Sequence, residues 1–220
     1  MIPEILFEDK SILAINKPAG LMVENDKFNN PSAEAWVLEY IKRERVPKNT
    51  IIGIIHRIDR PVSGVVLFAK KISILRDLNK QFEEGKVEKV YFAITHNKPE
   101  KEEELLQHYL FKDAKNKKAN IYKNSRKSAV KCELFYKYSG KTDLGYLLEI
   151  HPLTGKYHQI RAQLAFIGCA IIGDEKYGST VEYKLNEICL HAYSLEFNHP
   201  VEHKMLLVKS ELPADFIRSE

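Results

Sequence analysis

Two apolar runs rich in β-branched residues, Ile51 to Ile55 and Val65 to Ala69, enclose a short charged segment, His56-Arg57-Ile58-Asp59-Arg60-Pro61. Runs of this length and composition predict buried strands, so the chain is expected to fold around a sheet that presents a charged loop at its strand ends. A carboxylate at Asp59, bracketed by Arg57 and Arg60, is expected to stay ionised, because nearby positive charge favours the charged form of an acid. Asp59 is therefore a candidate nucleophile or base. The same residues read equally as a structural ion-pair network around a turn made by Pro61 and Gly64. This stretch alone does not separate the two.

A chain of 220 residues buries a substantial core, as one large domain or as two small subdomains flanking a cleft. Its hydrophobic fraction of 44% and charged fraction of 29% are those of an ordinary globular protein. A formal net charge of +4 argues against a histone-like binder and leaves room for one locally basic face. Cys132, Cys169 and Cys189 are far apart and lack the spacing zinc requires, which fits a reducing cytoplasm. No stretch is apolar for long enough to span a bilayer, and no P-loop, dinucleotide fingerprint or H-E-x-x-H motif occurs, so no membrane, cofactor or metal is expected.

Along the chain, Ile5–Phe7 and Ser11–Asn16 predict a hairpin that ends at Lys17-Pro18-Ala19-Gly20. Ser32 is placed to cap a helix bearing Ala33, Val37, Leu38 and Ile41, with a charged end at Lys42-Arg43-Glu44-Arg45 and a stop before Pro47. Ile74, Leu75, Leu78 and Phe82 predict a second helix, closed by Gly85. In the strand Lys89–Thr95 a period of two puts Val90, Phe92 and Ile94 on one face, Tyr91 and Ala93 on the other. Shorter strands follow at 104–111, 119–122 and 129–138. Between them Lys112, Lys115, Lys117, Lys118, Lys123, Arg126, Lys127 and Lys131 face one acid, Asp113. That run is either a solvated hairpin tip or a surface that tracks a phosphate backbone. A third helix is expected after the strand 144–152, with Thr154 and Gly155 as turn and cap, Ile160, Leu164 and Ile167 as its apolar stripe, and Gly168 as its end. Lys156, His158 and Arg161 then fall in its first turns, suited to an anion or simply a basic surface. Further strands are expected at 188–197 and 205–208.

Taken together, the motifs resemble those of RNA pseudouridine synthases of the RluA type, over nearly the whole chain. Asn16-Lys17-Pro18-Ala19-Gly20 is similar to the family's opening segment, and His56-Arg57-Ile58-Asp59-Arg60-Pro61-Val62-Ser63-Gly64 to its H-R-L-D-R-x-T-S-G motif. Thr154-Gly155-Lys156-Tyr157-His158-Gln159-Ile160-Arg161 resembles T-G-R-T-H-Q-I-R. Gly173-Asp174 with Tyr177-Gly178, then Leu190-His191-Ala192 and His199-Pro200, complete the series. Val62, Ile58 and the pair Lys156-Tyr157 depart from the pattern; the last of these bears on substrate preference.

The resemblance implies an α+β fold with a mixed, largely antiparallel central sheet and flanking helices, and an isomerase that needs no cofactor and acts on structured RNA, ribosomal or transfer. It implies Asp59 as the catalytic carboxylate, ion-paired with Arg161, and Tyr91 as the residue stacked on the uracil. Arg57 would fill the space of an extruded uridine, against a plain reading as a core salt bridge; His56 would order the loop. Lys156, His158, Lys117, Lys118, Arg126 and Lys127 would contact RNA. With the motifs starting near Met1, no S4 RNA-binding domain is expected ahead of them, and no obligatory protein partner. Two other classes remain in view: an Asp-dependent nucleoside or glycoside hydrolase, which needs a second carboxylate that near the motifs only Asp174 or Glu149 offers, and a noncatalytic RNA-binding protein on the same fold.

Overall fold

The computed structural model describes residues 2–28, 30–44 and 51–217. In chain order the elements are β1 (Glu4–Glu8), β2 (Ile12–Lys17), α1 (Ala33–Arg43), β3 (Gly53–Ile54), β4 (Ser63–Ala69), α2 (Ile72–Glu83), β5 (Glu88–Thr95), β6 (Glu103–Asp113), β7 (Lys118–Tyr122), β8 (Val130–Lys141), β9 (Tyr146–Pro152), α3 (Gln159–Phe166), β10 (Leu190–Asn198) and β11 (Met205–Lys209). Among the described residues, three α-helices and largely antiparallel strands make this an α+β fold. The chain divides into two compact units, Met1–Lys89 with Ala192–Glu211, and Val90–His191 with Leu212–Glu220.

The first unit orders its strands β1-β2-β4-β10, with β11 on β10 and β3 on β4. The β1–β2 turn forms because Asp9 Oδ1 accepts the N–H groups of Ser11 and Ile12, both at 2.7 Å. Antiparallel pairing of β2 with β4 runs from Ile12 opposite Ala69 to Lys17 opposite Gly64. The strand expected over Ile51–Ile55 shrinks to two residues opposite Ala69 and Phe68, with the Ile55 N–H just beyond it donating to the Leu67 carbonyl at 3.3 Å. The cause is competition for one edge: β2 takes one side of β4 and β10 takes much of the other. Gly64 makes that approach feasible. It sits at φ +115, and a Cβ there would lie 2.2 Å from the Ala192 carbonyl oxygen.

Helix α1 begins where Ser32 caps it, the hydroxyl accepting the Ala35 N–H at 3.0 Å, a hydrogen bond worth about 1 kcal/mol. It ends at Arg43; Arg45 and Pro47 lie outside the described residues. Helix α2 ends at Glu83, with Gly85 just beyond it at φ +68. It buries Ile74 and Leu78 against Ile12, Ala14, Val65, Leu67 and Phe197. Complete burial of a leucine such as Leu78 contributes about 1.5–3 kcal/mol.

The second unit is an antiparallel array β5-β9-β8-β6-β7. On it lies α3, whose Ala162 packs with Leu110, Ala119, Cys132 and Tyr177. Residues 159–164 of α3 are all buried, polar ones included, so it is not the one-striped surface helix its sequence suggests. In β5 burial rises along the strand, from half-buried Val90, Tyr91 and Phe92 to fully buried Ala93, Ile94 and Thr95, in place of the expected alternation. Among the described residues no helix is long and apolar enough to cross a membrane.

Candidate active site

Asp59 is half-buried in the first unit, in the loop between β3 and β4. Its carbonyl accepts the Val62 N–H at 3.0 Å, closing a tight turn through Arg60 and Pro61. The two arginines expected to bracket it have definite partners elsewhere. Arg57, which is in the loop and not on a strand, forms a 2.6 Å ion pair with Glu24, both side chains being about half exposed or more. That is a surface pair, not the core salt bridge considered from sequence, and such pairs contribute little to stability. Arg60 Nε donates to the Gly20 carbonyl at 2.9 Å, while its own carbonyl accepts the Gly20 N–H at 2.8 Å. His56 accepts the Leu67 N–H on Nε2 at 3.2 Å and stacks on Phe82, which holds the start of the loop to β4 and α2.

Sequence reasoning passed over Lys17. Its side chain is completely buried at the end of β2, and its Nζ donates to the carbonyls of Leu21 (2.7 Å), Pro18 (2.9 Å) and Arg60 (3.3 Å). Three acceptors match the three donors of an ammonium. Burial pulls Lys17 down to about 7; the negative charge of Asp59 opposes that and the positive charge of Arg60 adds to it. The lysine thus ties the Lys17–Leu21 turn to the Asp59–Val62 turn, next to the candidate carboxylate. The available signal was a lysine one residue after the apolar run Ile12–Ile15, separated from it by Asn16 and directly preceding a proline.

Tyr91 and Arg161 belong to the second unit. Tyr91 is half-buried on β5, opposite Ile150 of β9. Arg161 is buried in α3, its Nε and Nη2 donating to Asp174 Oδ2 and Oδ1 at 2.7 and 2.8 Å. The alternative of a plain basic surface fails for Arg161 on that burial, while Lys156 is exposed. Lys156 and His158 precede the helix instead of lying in its first turns, because Gln159 anchors the approach. Its Oε1 accepts from the Thr154 hydroxyl (2.7 Å) and the Lys156 N–H (2.9 Å), and its Nε2 donates to the Glu133 carbonyl of β8 (3.0 Å). His158 takes the left-handed conformation, φ 51 and ψ 25, unusual for a residue other than glycine. Its ring stacks on Tyr157 at 3.8 Å, and its Nδ1 lies 2.9 Å from the Tyr177 hydroxyl.

The basic stretch forms the β6–β7 hairpin and the loop after it. Lys117, at φ 49 in the hairpin turn, is exposed, as are Arg126 and Lys127. Lys118 is half-buried with its Nζ 5.2 Å over the Tyr177 ring; Arg126 lies 4.7 Å over Tyr122, and Lys112 4.7 Å over Tyr157. Interleaved cations and aromatic rings offer both charge and stacking area. Cys132, Cys169 and Cys189 are buried free thiols, pushed by burial up to about 11, 11 and 12. Among the described residues no group of three or more His, Cys, Asp or Glu is placed to hold a metal ion.

Comparison with known proteins bears on what these elements are for. Residues 11–166 match the family model described as RNA pseudouridylate synthase. The ribosomal large subunit pseudouridine synthase C of Buchnera aphidicola subsp. Baizongia pistaciae is 33% identical over 223 residues, covering 97% of this chain and 67% of the relative. The protein of that name from Vibrio cholerae is 31% identical, with 96% and 66% covered. The chain thus spans about two thirds of the length of these relatives. Among solved structures, the human RNA pseudouridylate synthase domain containing 4 shares the fold, with a TM-score of 0.80 at 24% identity over 97% of this chain and 90% of that one. A motif series in order, an α+β fold shared with solved structures and a family match over most of the length lead to one conclusion: the chain belongs to the RNA pseudouridylate synthase family.

Proposed function

We propose that this RNA pseudouridine synthase isomerises a uridine of large-subunit ribosomal RNA, with Asp59 as the carboxylate that acts on the ribose. In this reaction the bond between uracil N1 and ribose C1′ breaks, the base turns, and C5 bonds to C1′. The C5 proton leaves and N1 ends protonated, so the product has the mass of the substrate. Asp59 either attacks C1′ or removes the C2′ proton. Tyr91 stacks on the detached uracil, Arg161 holds the charged groups, and Arg57 occupies the place of the extruded nucleotide, since a stacked uridine must leave its helix to react. Lys156, His158, Lys117, Lys118, Arg126 and Lys127 contact the RNA backbone. The ribosomal target is supported by the names of the relatives, each a large-subunit pseudouridine synthase.

The observation that carries isomerisation over hydrolysis is the state of the other acids. A hydrolase needs a second carboxylate with access to water. Asp174 is 1% exposed and gives both oxygens to Arg161, so it has no water to activate; Glu149, a third exposed, is engaged by His151 at 2.8 Å, and the family match over residues 11–166 weighs on the side of isomerisation. The test is product analysis after incubation with deproteinised large-subunit RNA and, separately, with transfer RNA. The expected result is pseudouridine in ribosomal RNA of unchanged mass. Free uracil would replace the proposal with hydrolysis, and pseudouridine in transfer RNA alone would overturn the target.

A further inference from the structure

From the geometry of the segment Gly173–Gly178 we infer that Asp174 is a positioning residue for Arg161: a buried carboxylate that fixes the plane and direction of the guanidinium. The inference rests on the proposed role of Arg161 in catalysis and gives a function to a carboxylate that the reaction itself does not use.

The local structure explains why one short segment can do this. Glu175–Tyr177 is a single 3₁₀ turn, with Asp174 immediately before it and Gly178 immediately after it at φ +91. In 3₁₀ geometry residues three apart lie on the same side. Asp174 and Tyr177 are three apart, and both reach Arg161. Asp174 supplies the two-point fork, with side-chain exposures of 6% for the arginine and 1% for the aspartate. Tyr177 supplies its ring, 5.1 Å from the guanidinium carbon. Tyr177 is itself fixed, its hydroxyl accepting the Ala119 N–H at 2.8 Å and bonded to His158 Nδ1 at 2.9 Å.

Two parallel hydrogen bonds define a plane, which one bond or a diffuse charge cannot do. The fork through Nε and Nη2 dictates where the opposite edge of the guanidinium points. Burial makes the arrangement stiff, because rotating the arginine away would leave two desolvated charges unpaired. A lysine at 161 could match the charge but not the fork.

The experiment uses the full chain with Asp174→Asn, Asp174→Glu and Arg161→Lys, alone and combined. Asp174→Asn keeps the shape and loses one acceptor of the fork. Asp174→Glu keeps the carboxylate, so the buried guanidinium retains its counter-charge for folding, but displaces the fork by about 1 Å, a misplacement that can cost about 100-fold in rate. Thermal unfolding establishes that each variant is folded at the assay temperature. The expected result is kcat down about 10- to 100-fold for the folded Asp174 variants, KM for RNA within about twofold of wild type, and no further loss when Asp174→Asn is added to Arg161→Lys. A purely structural role would lower the unfolding midpoint without this kcat-against-KM split. Folded Asp174→Glu with wild-type kcat, or losses that multiply with Arg161→Lys, overturns the inference alone. An Arg161→Lys variant of full activity overturns the catalytic reading of Arg161 and the inference with it.

Discussion

His56 shows how burial converts an ordinary residue of a functional motif into a structural one. Burial, with a smaller contribution from the charge of Lys89, pulls its imidazole down to about 4. The neutral ring then accepts the Leu67 N–H, which a protonated ring cannot do. Because the folded value lies below the unfolded one near 6.5, unfolding at intermediate pH takes up a proton. The stabilisation is complete above about pH 6.5 and is lost as pH falls toward 4, at no more than about 1.4 kcal/mol per pH unit. Urea midpoints of wild type and His56→Gln should therefore differ most at pH 7.5 and converge at pH 5. A gap of constant size would contradict this account.

At the scale of elements, the β6–β7 hairpin and the loop after it carry the strongest expectation about RNA. Neutralising Lys117, Lys118, Arg126 and Lys127 to glutamine should weaken RNA binding and reduce the salt slope by up to about 0.9 for each phosphate no longer neutralised, for duplex-like RNA. Binding measured at two salt concentrations checks it, and unchanged affinity at both would rule it out. Elements governed by local chemistry were legible in the sequence. Ser32 starts α1 with its own hydroxyl, and Gly85 follows α2 in the left-handed conformation. Elements governed by distant partners were not. The start of α3 is set by Gln159 reaching the Glu133 carbonyl of another strand, so Thr154 and Gly155 do not open the helix. The Ile51–Ile55 run is short of an edge to pair with, which its own composition could not reveal. Lys17 escaped notice for the same reason, since its acceptor at Arg60 lies far along the chain.

For the whole molecule, the motif series is spread over two compact units, each with its own core. Asp59 and the Lys17 tie belong to the first, Tyr91 and the Arg161–Asp174 pair to the second. The motif series and the resemblance it carries singled out Asp59, Tyr91 and Arg161 in the sequence, whereas the charged stretch alone left Asp59 equally readable as catalytic or as a structural acid between arginines. Around these residues Arg57 pairs with Glu24, Arg60 with the Gly20 backbone, and Asp174 with Arg161. The central claim is that Asp59 performs chemistry and is not a structural acid. The most direct test is single-turnover pseudouridine formation by Asp59→Asn on large-subunit RNA, with RNA affinity measured on the same protein. The account predicts a rate lower by at least about 10²–10⁴-fold with affinity within about twofold of wild type. A folded Asp59→Asn protein that forms pseudouridine at the wild-type rate would contradict it.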